Sequence, residues 1–417
     1  MERMPFYGQV RDRLIRYAKI DTQSDPKSGA TPTTQKQFDL ARVLFDELLA
    51  IGAKDVWLDE RCCVVYAMLP STRADGGGRP FGLVTHMDTA PDAPGANVRP
   101  WVLESYDGGD IVLNPEQGIV MSPKDFPNLL NYVGQDLILT DGTTLLGGDD
   151  KAAIAAVMTL AEHLLSHPKI EHGPIALAFT PDEEVGGLAK DLDLARFGAP
   201  VAYTLDGDYL GFYEDETFHA SHAKVVFSGR SVHTGTAKGI MINACDLMTE
   251  WLSMLPRFEK PQFTEGREGF FHVISMRGAC EHAEAELIVR DHDRTQFEIR
   301  EAYLQKCTDA INAQYPGAAT LTITETYRRM KEVVDRHPYL IEHLCAAIRE
   351  TGLTPQSIAF RGGTDGSALS QRGLPCPNLS AGYENAHGRF EYVPIPSMEK
   401  NVEILLRLAA RFAADDA

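Results

Sequence analysis

The chain has 417 residues, which is long for one hydrophobic core and predicts two domains. Its 59 acidic residues against 40 basic ones give a net charge of -19 and leave no basic stretch, which excludes nucleic acid and anionic membrane surfaces as partners. No apolar run approaches the roughly 18 residues that a bilayer span requires, and the first residues lack the apolar core of a signal peptide. We therefore expect a cytoplasmic protein.

Seven cysteines form an odd and scattered set that contains no C-x-x-C pair. Such a set in a large chain indicates reduced thiols and argues against both a disulfide framework and a cysteine-based zinc site. Any metal site must therefore be built from histidine and carboxylate.

The first part of the chain alternates between helix and strand patterns. Two segments with apolar residues at a spacing of three and four predict helices, RDRLIRYAKI and QKQFDLARVLFDELLAIGA, and two apolar runs predict strands, CCVVYAMLP and FGLVTHMD. A further helix is predicted over DDKAAIAAVMTLAEHLL, with one apolar stripe, and two more strands over PIALAFTPDEE and VAYTLDGD. This alternation is typical of an α/β sheet.

The pattern changes between residues 219 and 330, where the elements follow the order β-α-β-β-α-β of a ferredoxin-like α+β domain. The remaining segment, 331–417, returns to the style of the first part. We therefore predict an α/β catalytic domain, residues 1–218 and 331–417, that is interrupted by an inserted domain, residues 219–330.

Polar side chains follow the apolar runs of the predicted sheet. Because the carboxyl ends of the strands form the ligand crevice of an α/β sheet, these groups are expected to converge. They are His86 and Asp88, the run Asp182 to Glu184, Asp206 and His387, and Asp149 at a loop-to-helix junction reaches the same edge. The residues alone leave simpler interpretations open, because acidic residues are common at helix N-termini and histidine and aspartate are common in turns.

Histidine and carboxylate in this number are enough to bind two divalent metals that share one carboxylate about 3.5–4 Å apart, the arrangement of dinuclear hydrolases. Neighbouring residues in a loop can point in different directions, so one of Glu183 and Glu184 can bind metal while the other takes a proton from water. Two solvated glutamates in an exposed loop are the alternative.

The motifs of the chain, in order and spacing, resemble the peptidase T family of bacterial aminotripeptidases, which are dizinc exopeptidases. The resemblance runs from RYAKIDTQS to the last helix, through HMDT, LLGGDDKAA, FTPDEEVG, LDGD, SVHTGTAKG, MINA, IVRDHDR, FRGGTDGSALSQRGLPCPNLSAG and AHGRFEYV. It implies a zinc-exopeptidase-like catalytic domain with an inserted lid or dimerisation domain. It also implies two Zn²⁺ per subunit.

Carried over position by position, the resemblance implies that His86 and Asp206 bind one zinc, that Glu184 and His387 bind the other, and that Asp149 bridges the two. The same resemblance makes Glu183 the general base. Asp88 then corresponds to a carboxylate that hydrogen-bonds the His86 ring and fixes its tautomer.

The resemblance extends to four residues beyond the metal ligands. His233 corresponds to a histidine that helps to polarise the scissile carbonyl, and Asn243, Arg290 and Arg361 correspond to residues that bind the substrate backbone and its carboxylate. Without the resemblance, His233 reads as a polar turn residue, and the two arginines read as surface ion-pair residues.

The sequence therefore predicts a metal-dependent aminopeptidase that releases the N-terminal residue of short peptides, preferentially tripeptides, by a dizinc-activated water. We also expect a homodimer formed through the insert. The alternatives are an amidohydrolase or dipeptidase of the same fold, acting on N-acylated amino acids or dipeptides, and a catalytically silent peptide-binding protein.

Overall fold

A computed structural model describes residues 5–207 and 209–415. The chain divides into two compact units. The first takes in the chain up to Asp215, then Glu332–Ile358, and then everything from Thr364 onward; the second comprises Glu216–Lys331 and Ala359–Gly363. The predicted domain boundaries lie within three residues of the breaks at 215 and 331.

One short segment groups differently from the prediction, which placed residues 359–363 in the catalytic domain. Arg361 explains the difference, because its guanidinium donates to the backbone carbonyls of Gly266 and Glu268 at 2.8 and 2.9 Å. The same guanidinium lies over the rings of Phe218 and Phe270. These contacts attach the segment to the second unit.

The described residues form seventeen strands and ten α-helices. The strands are β1 (Lys54–Asp59), β2 (Val64–Leu69), β3 (Phe81–His86), β4 (Trp101–Leu103), β5 (Ile111–Asn114), β6 (Ile119–Met121), β7 (Leu137–Leu139), β8 (Ile175–Thr180), β9 (Ala202–Gly207), β10 (Phe212–Glu216), β11 (His219–Ser228), β12 (Phe270–Gly278), β13 (His282–Asp291), β14 (Ala319–Tyr327), β15 (Gln356–Ala359), β16 (Asn378–Ser380) and β17 (Val393–Pro394). The helices are α1 (Tyr7–Ala18), α2 (Gln37–Ile51), α3 (Gly148–Ser166), α4 (Leu194–Phe197), α5 (Ala244–Ser253), α6 (Arg294–Gln314), α7 (Lys331–Val334), α8 (Pro338–Glu350), α9 (Asp365–Gln371) and α10 (Ile395–Ala414). None of these helices has the length and apolar character needed to cross a membrane.

The first unit is built on an eight-stranded sheet in the order β1-β2-β8-β3-β9-β16-β10-β15. Its central strands β8, β3, β9 and β16 run parallel to one another, and β2 and β10 pair antiparallel on either side. All six residues of β3 and of β8 are buried, as expected for strands covered on both faces. The carboxyl ends of the four parallel strands therefore open at one edge of the sheet.

Helix α3 lies between the sheet and the outer helices, in contact with β3 and β9 on one side and with α1, α2 and α10 on the other. The predicted single apolar stripe understated its burial, since fifteen of its nineteen residues are buried. Even Lys151 and Thr159 on this helix are buried. Alanine has the highest helix propensity, so the many alanines of α3 favour a helix even though it is buried on most of its surface.

A small accessory region of the first unit was not predicted from the sequence. It contains a three-stranded sheet in the order β17-β7-β4 and the β5–β6 hairpin, and a 3₁₀ helix spans Pro127–Tyr132. Its strands are two to four residues long and lie among glycine, aspartate and proline. Such short strands carry too little periodicity to be recognised.

The second unit contains an antiparallel sheet in the order β12-β13-β11-β14. Helices α5 and α6 pack against it around Phe227, Trp251 and Leu304. The order of its main elements along the chain, β11-α5-β12-β13-α6-β14, is the β-α-β-β-α-β order that the sequence predicted for a ferredoxin-like domain.

Candidate metal centre

The predicted site residues of the first unit converge at the carboxyl edge of the sheet. His86 ends β3, Asp206 lies near the end of β9, and Asp149 lies at the start of α3. The pair Glu183 and Glu184 follows β8, and His387 follows β16. The last residue of the LDGD motif, Asp208, lies outside the described residues.

The two histidines face the carboxylates that the sequence assigned to them. His86 Nε2 lies 3.0 Å from Asp149 Oδ1 and 3.3 Å from Asp206 Oδ1. His387 Nε2 lies 3.2 Å from Asp149 Oδ2 and 2.8 Å from Glu184 Oε2. Asp149 therefore presents one oxygen to each histidine, as a bridging carboxylate would.

The donor atoms at this sheet edge are suited to bind divalent metal. In each of two sets of three residues, the potential ligand atoms lie within 4.8 Å of one another. One set is His86, Asp149 and Glu184, and the other is His86, Asp150 and Asp206. The second oxygen of Glu184, Oε1, is buried and has no hydrogen-bond partner in the described protein. A buried carboxylate oxygen without a partner is costly, and a cation would satisfy it.

The close contacts between histidines and carboxylates shift the pKa values of these groups. Burial disfavours a charged His86, but the charge of Asp206 and the hydrogen bond to Asp149 outweigh it and raise the pKa of His86 well above its usual value. Hydrogen bonds to Asp149 and Glu184 raise the pKa of His387 to about 11. Burial alone would raise the pKa of Asp149, yet the two histidines lower it.

Glu183 differs from its neighbour because its carboxylate accepts no hydrogen bond from the described residues. The side chain is half-buried, and burial together with the charge of Asp206 raises the pKa of Glu183 well above its usual value. A carboxylate of raised pKa is suited to accept a proton near neutral pH.

Asp88 holds the Glu183–Glu184 turn more directly than it holds the histidine. Its carboxylate accepts the backbone N–H groups of Glu183 at 3.0 Å and Glu184 at 3.2 Å. The nearest partner of His86 Nδ1 is the backbone carbonyl of Asp88 at 3.1 Å, while Asp88 Oδ1 lies at 3.4 Å. Asp88 thus orients the imidazole mainly through its main chain, a detail that differs from the carboxylate contact implied by the resemblance.

Asp182 connects the same turn to the N-terminal part of the chain. Its backbone adopts a left-handed φ of 62°, which turns the chain sharply after β8. Its buried carboxylate accepts hydrogen bonds from the backbone N–H of Thr33, the Thr33 hydroxyl and the Gln37 amide. The N-terminal part of the chain therefore supports the position of Glu183 and Glu184.

Two acidic residues at the site were missed by the sequence reasoning. Asp150 accepts the His86 backbone N–H at 3.3 Å, and Asp365 accepts the Thr180 hydroxyl at 2.6 Å. Each retains a second carboxylate oxygen that is buried without a partner in the described protein. The available signal was weak, because the sequence around Asp150 indicated an ordinary acidic residue at a helix N-terminus, and Asp365 follows the glycine-rich stretch RGGT at the start of the short helix α9.

The loop that carries His387 is held by the accessory region. The Asn128 amide donates to Glu384 at 2.7 Å and to Asn385 at 3.1 Å, and the Tyr132 hydroxyl also donates to Glu384. His387 itself has a left-handed φ of 61°. Residues 127–132 therefore help to aim an imidazole that is otherwise half exposed.

Seven of the eleven predicted site residues lie in the first unit, and the other four lie in the second unit. His233 is exposed and its Nδ1 accepts the Gly235 N–H, while Asn243 caps α5 by accepting the Cys245 N–H. Arg290 lies over the Tyr327 ring and donates to backbone carbonyls, as Arg361 does. Neither arginine forms an ion pair with the described residues, so the surface ion-pair interpretation is wrong.

Comparisons with known proteins identify the family of this chain. The family model described as Peptidase family M20/M25/M40 matches residues 146–411. Peptidase T of Geobacillus kaustophilus (strain HTA426) is 47% identical over 97% of this chain and 98% of its own. Peptidase T of Alkaliphilus oremlandii (strain OhILAs) is 45% identical over 95% of this chain and 97% of its own.

Among solved structures, the aminopeptidase PepT from Bacillus cereus ATCC 10987 matches with a TM-score of 0.77 at 21% identity, over 98% of this chain and 99% of that one. These similarities confirm the family resemblance drawn from the motifs and the α/β fold with its inserted domain.

Binding of Zn²⁺ to the metal-free protein should release protons, and the apparent affinity should rise with pH. His86 and His387 hold protons at neutral pH, and each must lose its proton before Nε2 can bind metal. Burial likewise raises the pKa of Glu184, which also offers a ligand oxygen, to about 8. We therefore expect release of about three protons at pH 7, with a gain in affinity of up to about tenfold per pH unit for each. Isothermal titration calorimetry in buffers of different ionisation enthalpy measures this number.

His387→Gln is the matched control, since it removes one of the two titrating imidazoles and should lower the proton release by about one. Zinc binding without any proton release in the parent protein would contradict the description of the two histidines as imidazolium groups.

Proposed function

Because the chain belongs to the M20/M25/M40 peptidases and, within them, to the peptidase T family, we propose that this metallo-exopeptidase removes the N-terminal residue from short peptides, tripeptides first. The observation that carries the proposal is the position of Asp149 between His86 and His387. The nearby carboxylate of Glu183 accepts no hydrogen bond from the described residues. The names of the relatives support the peptide substrate.

We propose two Zn²⁺ per subunit. Imidazole nitrogen and carboxylate oxygen are suitable ligands for zinc, and the seven cysteines of the chain take no part. His86 and Asp206 would hold one ion, Glu184 and His387 the other, and Asp149 would bridge them. When bound, such ions polarise a substrate carbonyl and lower the pKa of water in the site.

The protein groups then handle the protons. In this proposal, Glu183 takes a proton from the attacking water and returns it to the leaving amine. Asp88 keeps Glu183 and Glu184 in register by binding both of their backbone N–H groups. In this scheme one carboxylate binds metal and its neighbour remains free for proton transfer.

The second unit is proposed to act as the lid or dimerisation domain. By family resemblance, His233 assists in polarising the scissile carbonyl, Asn243 binds the substrate backbone, and Arg290 and Arg361 bind the substrate carboxylate. Arg361 already donates to the carbonyls of Gly266 and Glu268. Its proposed role therefore requires that it exchange these acceptors or use a remaining N–H group.

We also propose a homodimer formed through β12, which lies at the edge of the second unit's sheet. An open edge strand offers unpaired backbone groups to a second copy, and β12 exposes Ile274 and Met276, with 48% and 60% of their surfaces accessible.

A cytoplasmic location is proposed as well, since all seven cysteines are free thiols.

Light scattering coupled to size exclusion should give twice the 46.0 kDa mass of the chain. Ile274→Lys should shift the protein toward the monomer, because a charge on the edge strand opposes pairing with another edge. Val112→Lys is the control, since Val112 is equally exposed but lies in the first unit. A monomeric parent protein would contradict the dimer.

Glu183→Ala should retain the full metal content and lose about 10²–10⁴-fold in kcat, the usual contribution of a general base. Glu184→Ala is the contrasting variant, because it removes a proposed ligand and should lose metal as well as activity. Metal analysis and steady-state kinetics on both proteins test the division of labour. A Glu183→Ala variant with close to parental kcat would rule out the base assignment.

The substrate is tested with a free tripeptide, its N-acetylated form and the matching dipeptide, each incubated with zinc-loaded protein and analysed by mass spectrometry. We expect loss of one N-terminal residue from the free tripeptide, and no reaction after chelation. Preferential cleavage of the acetylated compound over the free tripeptide would favour an amidohydrolase. Preferential cleavage of the dipeptide would favour a dipeptidase. Binding of the peptides without turnover would favour a silent peptide-binding protein.

A further inference from the structure

We propose that Glu391 is a positioning residue that holds the bridging carboxylate of Asp149 between the two histidines. Glu391 is buried, with 2% of its surface accessible, and it lies four residues after His387. Its described hydrogen bonds reach backbone N–H groups and no side chain of a proposed ligand. Its effect on the metals would therefore pass through Asp149. The inference rests on the proposed ligand set.

The Glu391 carboxylate accepts three backbone N–H groups from one short segment. Oε2 accepts from Leu146 at 2.8 Å and from Gly147 at 2.7 Å, and Oε1 accepts from Asp149 at 2.9 Å. Three N–H donors aimed at one buried carboxylate form a specific anion clamp, and hydrogen bonds to a charged acceptor are the stronger kind.

The clamped segment is irregular, and this irregularity places Asp149. Gly147 adopts a left-handed φ of 75°, and Asp149 has a non-helical φ and ψ of -78° and 102°. Backbone N–H groups before the first helical turn have no partner within the helix. Glu391 satisfies these donors, and it thereby fixes the backbone from which the Asp149 carboxylate reaches His86 and His387.

The position of Glu391 in the chain gives the clamp a second consequence. The segment 384–393 carries both His387, a proposed ligand, and Glu391, which binds the backbone of the bridging residue. The Glu391 contact therefore sets the distance between the start of α3 and the His387 loop. The spacing of Asp149 Oδ2 and His387 Nε2, 3.2 Å in the structure, depends on it.

A role in metal positioning and a purely structural role differ in what they affect. A structural cap would contribute to the stability of the metal-free fold and leave metal affinity to the ligands. A positioning residue changes the affinity for metal, since contacts that orient ligands typically account for 10–100-fold in affinity or activity.

The test is Glu391→Gln, which keeps the size of the side chain but turns one acceptor oxygen into an N–H₂ donor that faces an N–H group. We expect affinity for Zn²⁺ to fall about 10–100-fold, measured by competition with a chromophoric chelator. Glu391→Asp retains both oxygens and should recover part of this loss. Circular dichroism and thermal unfolding of the metal-free proteins establish that each variant is folded.

Glu399→Gln is the matched control, because Glu399 is equally buried, with 2% of its surface accessible, but lies on α10 and contacts none of the proposed ligands. We expect this variant to bind zinc as the parent does. Parental zinc affinity in Glu391→Gln, or an equal loss in Glu399→Gln, would overturn the positioning role while the proposed function stands. A parent protein that binds no pair of zinc ions would instead overturn the ligand set, and this inference with it.

Discussion

The burial of several carboxylates side by side is the constraint that the rest of the first unit must satisfy. Asp88, Asp149, Asp150 and Asp365 are buried at one sheet edge, where removal from water and mutual repulsion both disfavour ionised groups. The two imidazolium groups offset only part of this cost. One oxygen each of Glu184, Asp150 and Asp365 has no hydrogen-bond partner among the described residues, so the protein itself leaves part of this cost uncompensated.

The loops around this edge are held by neutral donors. Asp88 binds the backbone N–H groups of Glu183 and Glu184, Glu391 binds those of the segment before α3, and Asp182 is bound by Thr33 and Gln37. Lysine or arginine in these positions would add positive charge beside the ligands and compete with the metals. Backbone amides provide comparable rigidity without that competition.

The sequence predicted the parts of the site that follow apolar strands, because strand ends share one edge of a parallel sheet. His86, Glu184 and Asp206 were found in this way, and the ferredoxin-like insert followed from its element order. Asp365 and Glu391 were missed, since each lies in a polar stretch of sequence and its carboxylate is bound by residues more than 150 positions away in the chain. The grouping of residues 359–363 depends on the contacts of Arg361, which local patterns do not reveal.

The distribution of the proposed ligands along the chain has a consequence for synthesis. His86, Asp149, Glu184 and Asp206 leave the ribosome before the ferredoxin-like insert, whereas His387 follows it. A nascent or prematurely terminated chain therefore lacks the only imidazole of the second ion. With the proposed ligand set, peptide hydrolysis would thus be withheld from translation products that end before His387, and it would begin only after the insert has been made.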